Sequence, residues 1–152
     1  MDWGLLDKNP AAGVKQYNED NKIERYLNED ELKRLLRVLH TNKNRTVCQI
    51  AFFLLSTDAR LNDALSARWE YVDKGNRVWR IPVADPKSRH MRSVPLNGSA
   101  IAVLDLLDTA GRYEHLFINR KSYRPYTTIY KTWERIRAEA GLPRLRLHDL
   151  RH

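Results

Sequence analysis

Leu32, Leu35, Leu36 and Leu39 return at three- and four-residue intervals, which predicts an amphipathic helix with one buried face. It starts at Asn28-Glu29-Asp30-Glu31: Asn28 reads as the N-cap, carboxylates fill the first turn, and Glu31 stands where it can reach back to the cap amide. Val47, Ile50, Ala51 and Leu54 repeat in the same way and predict a second helix over about residues 44–57, in which Cys48 reads as small core filling rather than a reactive thiol. A third, short helix begins near Arg60 and carries Leu61, Ala64 and Leu65. Residues 1–25 have too little apolar periodicity to fold alone and read as a linker, with Asn9-Pro10, Gly13 and the polar run Asn18-Glu19-Asp20-Asn21-Lys22.

After the third helix the period changes. Residues 69–72, 77–83 and 91–96 are β-branched or aromatic runs separated by Asp73-Lys74-Gly75-Asn76 and by residues 84–90, and they predict three antiparallel strands. Pro82 and Pro95 lack the N–H a ladder needs, so they belong at strand ends or unpaired edges. A further helix is expected over residues 98–109, with Ile101, Leu104 and Leu106 or Leu107 inside and Gly111 ending it. A last one is expected over residues 126–140, burying Ile129, Trp133, Ile136 and Ala140 and stopped by Gly141 and Pro143. The fold class is α+β, mostly helical with a small three-stranded antiparallel sheet.

Composition narrows the classes. The 152 residues and 42% hydrophobic content suit one domain, or a piece of one, with a real core. The longest apolar stretch, Ile50-Ala51-Phe52-Phe53-Leu54-Leu55, is far short of the roughly 18 residues of a membrane span. No secretory signal is visible at the start and the single Cys48 has no internal partner, so a cytoplasmic location is expected. One Cys and five scattered His give no zinc-site spacing, and no metal is expected. Lys and Arg exceed Asp and Glu by 27 to 19, and the excess is one-sided: residues 1–76 hold 12 of each, residues 77–152 hold 15 against 7. A neutral half joined to a basic one concentrates positive potential that attracts polyanions, nucleic acid first among them, although a solvated basic surface has the same composition.

Four positions carry candidate chemistry, and singly each is ordinary. Arg60 lies at a sharp junction between two apolar helices; Lys87 lies in the turn of the second hairpin, within a stretch that ends in Val94-Pro95-Leu96; His148 and Arg151 are three apart in Leu147-His148-Asp149-Leu150-Arg151-His152, so that a helix would turn both to one side. Together, in order and spacing, they resemble the catalytic domain of the tyrosine recombinases of the phage integrase family. The resemblance runs from about Tyr26 to the end and is most specific at Arg60 to Asp63 with Ala64-Leu65, at Lys87 to Leu96, and at Leu147 to His152. Trp3-Gly4-Leu5-Leu6 through Asn9-Pro10 resembles the last helix and linker of that family's core-binding domain, dividing the chain into residues 1–25 and a catalytic domain over residues 26–152.

The resemblance implies site-specific recombination by DNA strand cleavage and rejoining through a 3′-phosphotyrosyl intermediate, without a cofactor. Such chemistry needs fixed cations for the nonbridging phosphate oxygens, a proton for the departing 5′-hydroxyl and an internal nucleophile. By similarity, Arg60 and Arg151 would clamp the scissile phosphate, His148 would hydrogen-bond to it and assist proton movement, and Lys87 would be the general acid. Asp63, where the family more often has Glu, would brace the site as a carboxylate oriented toward Arg60. Double-stranded DNA would be the partner, held in the basic half by Arg89, Arg120, Lys121, Arg124 and Lys131, with other recombinase subunits forming a tetramer on it. Two departures stand out. Asp58 occupies a turn position where the family usually has Gly, adding a negative charge near the phosphate site. The family's nucleophilic Tyr follows the His148 to Arg151 motif, whereas Tyr17, Tyr26, Tyr71, Tyr113, Tyr123, Tyr126 and Tyr130 all precede it, so this chain alone is expected to bind DNA without cutting it. The alternative is a noncatalytic DNA-binding prophage remnant or regulator, which does not by itself require the four residues in this order.

Overall fold

The computed structural model describes residues 26–83, 87 and 90–151. The expected linker over residues 1–25 lies outside them, as do Arg89 and His152. Helix α1 spans Glu29–Thr41. Its start is the expected reciprocal cap: the Glu31 N–H donates to Asn28 Oδ1 at 2.8 Å and the Asn28 N–H to Glu31 Oε2 at 3.1 Å, satisfying two of the helix's orphan donors. Helix α2, Arg45–Thr57, is the centre of the molecule. Val47, Cys48, Ile50, Ala51, Phe53 and Leu54 are buried on nearly every side of it, because α1, α4 (Gly98–Leu106), the short α3 (Leu61–Leu65) and the C-terminal 3₁₀ turn all pack against it. Each fully buried Leu, Ile or Phe there contributes about 1.5–3 kcal/mol of transfer free energy.

Strands β1 (Val72–Asp73), β2 (Val78–Pro82) and β3 (Met91–Pro95) form an antiparallel sheet in that order, with Trp79 opposite both Val72 and Val94. Trp79, Ile81 and Val94 turn inward, and the Trp79 ring lies 5.2 Å from that of Phe53 on α2. Pro82 and Pro95 close the ends of their strands. The first strand is shorter than its residues suggest: Trp69–Tyr71 form a 3₁₀ turn. The indole N–H of Trp69 donates to Thr109 Oγ1 at 3.0 Å and its backbone N–H to the Glu114 carbonyl at 2.9 Å, pulling the segment out of the ladder.

Thr109 also corrects the expected helix over residues 98–109. Its buried hydroxyl donates to the Leu116 carbonyl at 2.7 Å. The helix stops at Leu106, Leu107 is extended, and Leu106 is exposed while Val103 and Leu104 enter the core. Gly111 (φ 74°) serves a later turn rather than the helix end. The following loop holds an unexpected two-residue hairpin, β4 (Ile118–Asn119) with β5 (Arg124–Pro125), so α5 begins at Tyr130 and runs to Glu139 instead of starting at 126. Ile129, Trp133, Ile136 and Ala140 are buried as the spacing requires. At Gly141 (φ 72°) the helix stops; a Cβ there would also come within 2.8 Å of Arg34 Nη1. Trp133 donates to the Leu145 carbonyl at 3.0 Å, tying α5 to the segment that leads into the closing 3₁₀ turn, Leu147–Arg151. No helix among the described residues is long and apolar enough to cross a membrane.

Candidate active site

Arg60 and the motif near residue 150 are far apart in sequence, and α2 brings them together. The helix ends in Asp58, whose backbone is left-handed (φ 56°, ψ 22°). Ala59 is then buried, and Arg60 emerges as the N-cap residue of α3, exposed, with an extended backbone. The closing 3₁₀ turn packs against α2 through Leu147 and Leu150. Residues three apart eclipse in a 3₁₀ turn, so His148 and Arg151 come to one side. The outcome is a cavity of about 230 Å³ lined by Arg60, Asn62, Tyr130, His148 and Arg151 over a floor of Ala59, Leu61 and Leu147. Arg151 Nε donates to the Asp58 carbonyl at 3.1 Å and lies 3.6 Å from the Asp58 carboxylate.

The turn itself is held by Asp149, only 3% exposed. Its carboxylate accepts from the Arg146 N–H at 2.8 Å and from the Arg146 guanidinium at 2.8 and 3.3 Å. Burial alone pushes this carboxyl up, but the guanidinium, the backbone N–H and the charges of Arg146 and His148 together outweigh it, and the pKa lies below the usual carboxylate range. Asp149 is a framework residue; its signal in the sequence is an acid three residues after Arg146, close enough to reach back to that residue's N–H and guanidinium.

The other expected site residues are distributed differently. Asp63 does not face Arg60 in an ion pair; its carboxylate meets Arg92 Nη2 at 2.7 Å, which ties α3 to β3. Lys87 is exposed in the turn between β2 and β3 and does not line the cavity. Arg89 lies outside the described residues. Arg120 and Lys121 line a separate, larger cavity of about 540 Å³ at the N-terminal end of α2, where Lys43 and Arg45 join them. Arg120 pairs with Asp108 at its edge, and Tyr126, its phenol pushed up by burial against a hydrogen bond from Thr46, forms part of the wall. Arg124 and Lys131 are exposed and line neither cavity. A shallow depression containing His115 and Thr127 lies between the two cavities, bordered by Asn62, which also lines the smaller cavity, and by Tyr126, which also lines the larger. Lys43 and Arg45 were not legible as partners of Arg120, because their segments meet only through the fold.

Comparison with known proteins follows the same outline. The chain is 28% identical over 163 residues to the integrase of Salmonella phage P22, covering 99% of this chain and 40% of that protein. It is 30% identical over 122 residues to prophage integrase IntA of Escherichia coli K12, covering 77% of this chain and 29% of that one. It thus spans less than half the length of these curated relatives. The Tn1549 transposon integrase, solved in complex with circular intermediate DNA, superposes with a TM-score of 0.73 at 17% identity over 88% of this chain and 53% of that one. The sequence model of the phage integrase family matches residues 25–152. That match takes in every described element, from the capped start of α1 to the turn carrying Arg151, and the chain belongs to the phage integrase family.

Proposed function

We propose that residues 26–152 are the phosphate-binding catalytic region of a tyrosine recombinase that cuts and rejoins duplex DNA at specific sites. The observation that carries this reading is the convergence of Arg60, His148 and Arg151 on one cavity of about 230 Å³. Two guanidinium groups and an imidazole around a space of that size suit a phosphodiester: permanent charge and fixed donors stabilise the negative charge that builds on the nonbridging oxygens as phosphorus becomes five-coordinate. A tyrosine oxygen attacks phosphorus, the bond to the 5′-oxygen breaks, and Lys87, carried on the β2–β3 turn, gives its proton to the leaving oxygen. Asp63 acts at one remove: its pair with Arg92 fixes α3, which starts at Arg60, against the sheet that carries Lys87. The nucleophile is not among the seven tyrosines in the family's position, since all precede His148. Residues 1–25 then belong to the end of a core-binding domain and its linker, further recombinase subunits complete the assembly on DNA, and the reaction takes place in the cytoplasm.

DNA would run from this cavity toward the larger one. The ends of α2, 13 residues at about 1.5 Å each, separate the two by roughly 20 Å. Arg120 and Lys121 with Lys43 and Arg45 supply backbone contacts there, and Arg124 and Lys131 flank the path. The complex of the Tn1549 integrase with circular intermediate DNA supports the reading by likeness of fold. The experiment is duplex binding at low salt for the wild type, Arg60→Gln and Arg151→Gln, with a suicide substrate to trap covalent product. Tight, salt-sensitive binding that each substitution weakens tenfold or more, with no covalent product from this chain, is the expected result. Salt-independent binding, or none, refutes it, and a covalent product from this chain overturns the reading that the nucleophile is not among its seven tyrosines.

A further inference from the structure

Asp58 stands two residues before Arg60, at the edge of the candidate clamp, and is not one of its cations. Its two contacts with Arg151 come from different atoms and have different consequences. The left-handed backbone that ends α2 turns the Asp58 carbonyl outward, and that carbonyl accepts from Arg151 Nε at 3.1 Å. A guanidinium held by Nε has its two terminal nitrogens left to face the cavity that Arg151 lines with Arg60 and His148. Since Arg60 follows only two residues later, with Ala59 buried between, one turn of backbone sets the spacing of both arginines. The carboxylate is a second matter. It lies 3.6 Å from the same Nε and is 68% exposed, while Arg151 is 26% exposed, so part of the positive field that Arg151 sends into the cavity is cancelled in the free protein.

We propose that Asp58 is a positioning residue that aims Arg151 through its main-chain carbonyl while its carboxylate acts as a built-in counter-ion, lowering the affinity of the cavity for a DNA phosphate. This rests on the phosphate-clamp reading above. A left-handed position accepts Asp, Asn or Gly with little strain, so the two roles separate cleanly: Asp58→Asn and Asp58→Gly keep the carbonyl in place and remove the charge. An exposed pair of this kind shifts an equilibrium by about two- to fivefold.

The test is duplex binding by fluorescence anisotropy at low salt, together with the exchange rate of the Arg151 Nε–H by NMR. Asp58→Asn and Asp58→Gly should both tighten binding about threefold, leave the Nε–H as protected as in the wild type, and lose their gain when combined with Arg151→Gln. Glu29→Gln, at an exposed acid in the first turn of α1 that lines neither cavity, controls for the loss of one negative charge anywhere. A gain no larger than that control, or one that persists without Arg151, overturns the inference while leaving the clamp standing. A wild type that binds no duplex removes the clamp and the inference with it, and an Arg151 Nε–H that exchanges at the free rate in the wild type removes the positioning role regardless of DNA.

Discussion

Asp149→Ala should destabilise the fold by about 2–4 kcal/mol, more than any other single polar change near the site. The figure comes from the three contacts its carboxylate makes. A hydrogen bond from a backbone N–H to a buried carboxylate contributes about 1.5–3 kcal/mol, and the Arg146 N–H makes one at 2.8 Å to a side chain only 3% exposed. The guanidinium contacts add less, because the Arg146 side chain is 51% exposed and water competes for it. Urea unfolding followed by tryptophan fluorescence measures the loss, and Trp133 reports locally, since its indole donates to the Leu145 carbonyl just before the turn. The pH dependence has a definite sign. The folded pKa of Asp149 lies below its unfolded value, so its contribution is complete above the unfolded value of about 3.9 and fades as the pH falls through the folded one. The gap between wild type and Asp149→Ala should therefore be full at neutral pH and close once the pH is taken below the ordinary carboxylate range. A neutral-pH difference under about 0.5 kcal/mol, or a gap that stays unchanged in acid, would refute the argument that this carboxylate builds the turn holding His148 and Arg151.

Other outcomes follow from single features. Lys43→Glu with Lys121→Glu should flatten the dependence of duplex affinity on salt by about two phosphate contacts, roughly 1.8 in the log–log slope, and an unchanged slope would exclude the larger cavity from the DNA path. Cys48, buried and with its thiol pushed up to about 11 chiefly by desolvation, should resist a disulfide reagent in the native protein and react at the rate of unfolding; fast reaction at neutral pH would contradict its core role. Gly141→Ala should cost about 1–2 kcal/mol for the left-handed backbone alone, read by thermal or urea unfolding, with Arg34 forced aside in addition.

Local signals were read well wherever the deciding interaction lies within one turn of chain. The Asn28 and Glu31 cap, the Asn44 start of α2 and the left-handed Gly141 each depend on neighbours three or four residues away, and each stands where the residues place it. The misread boundaries have distant causes. Trp69–Tyr71 leave the strand because Thr109 and Glu114 capture Trp69, and the predicted helix over residues 98–109 ends early because Thr109 is committed to Trp69 and Leu116. The β4–β5 hairpin offers two residues a side, too few for a period to register.

The sequence by itself determined the helix caps, the buried faces and the sheet's β2–β3 hairpin, because spacing and residue type are local properties, while Arg60, Lys87, His148 and Arg151 stood out as a set only through the family resemblance. Only the tertiary structure decided which of these meet. It is the packing of the closing turn on α2 that brings His148 and Arg151 to Arg60, the placing of α3 beside β3 that gives Asp63 to Arg92 instead, and the left-handed end of α2 that puts Asp58 on Arg151. A side chain's chemistry is fixed by its own residue, but its partner is chosen by the whole core, since ion pairs form across elements that hydrophobic burial has already placed.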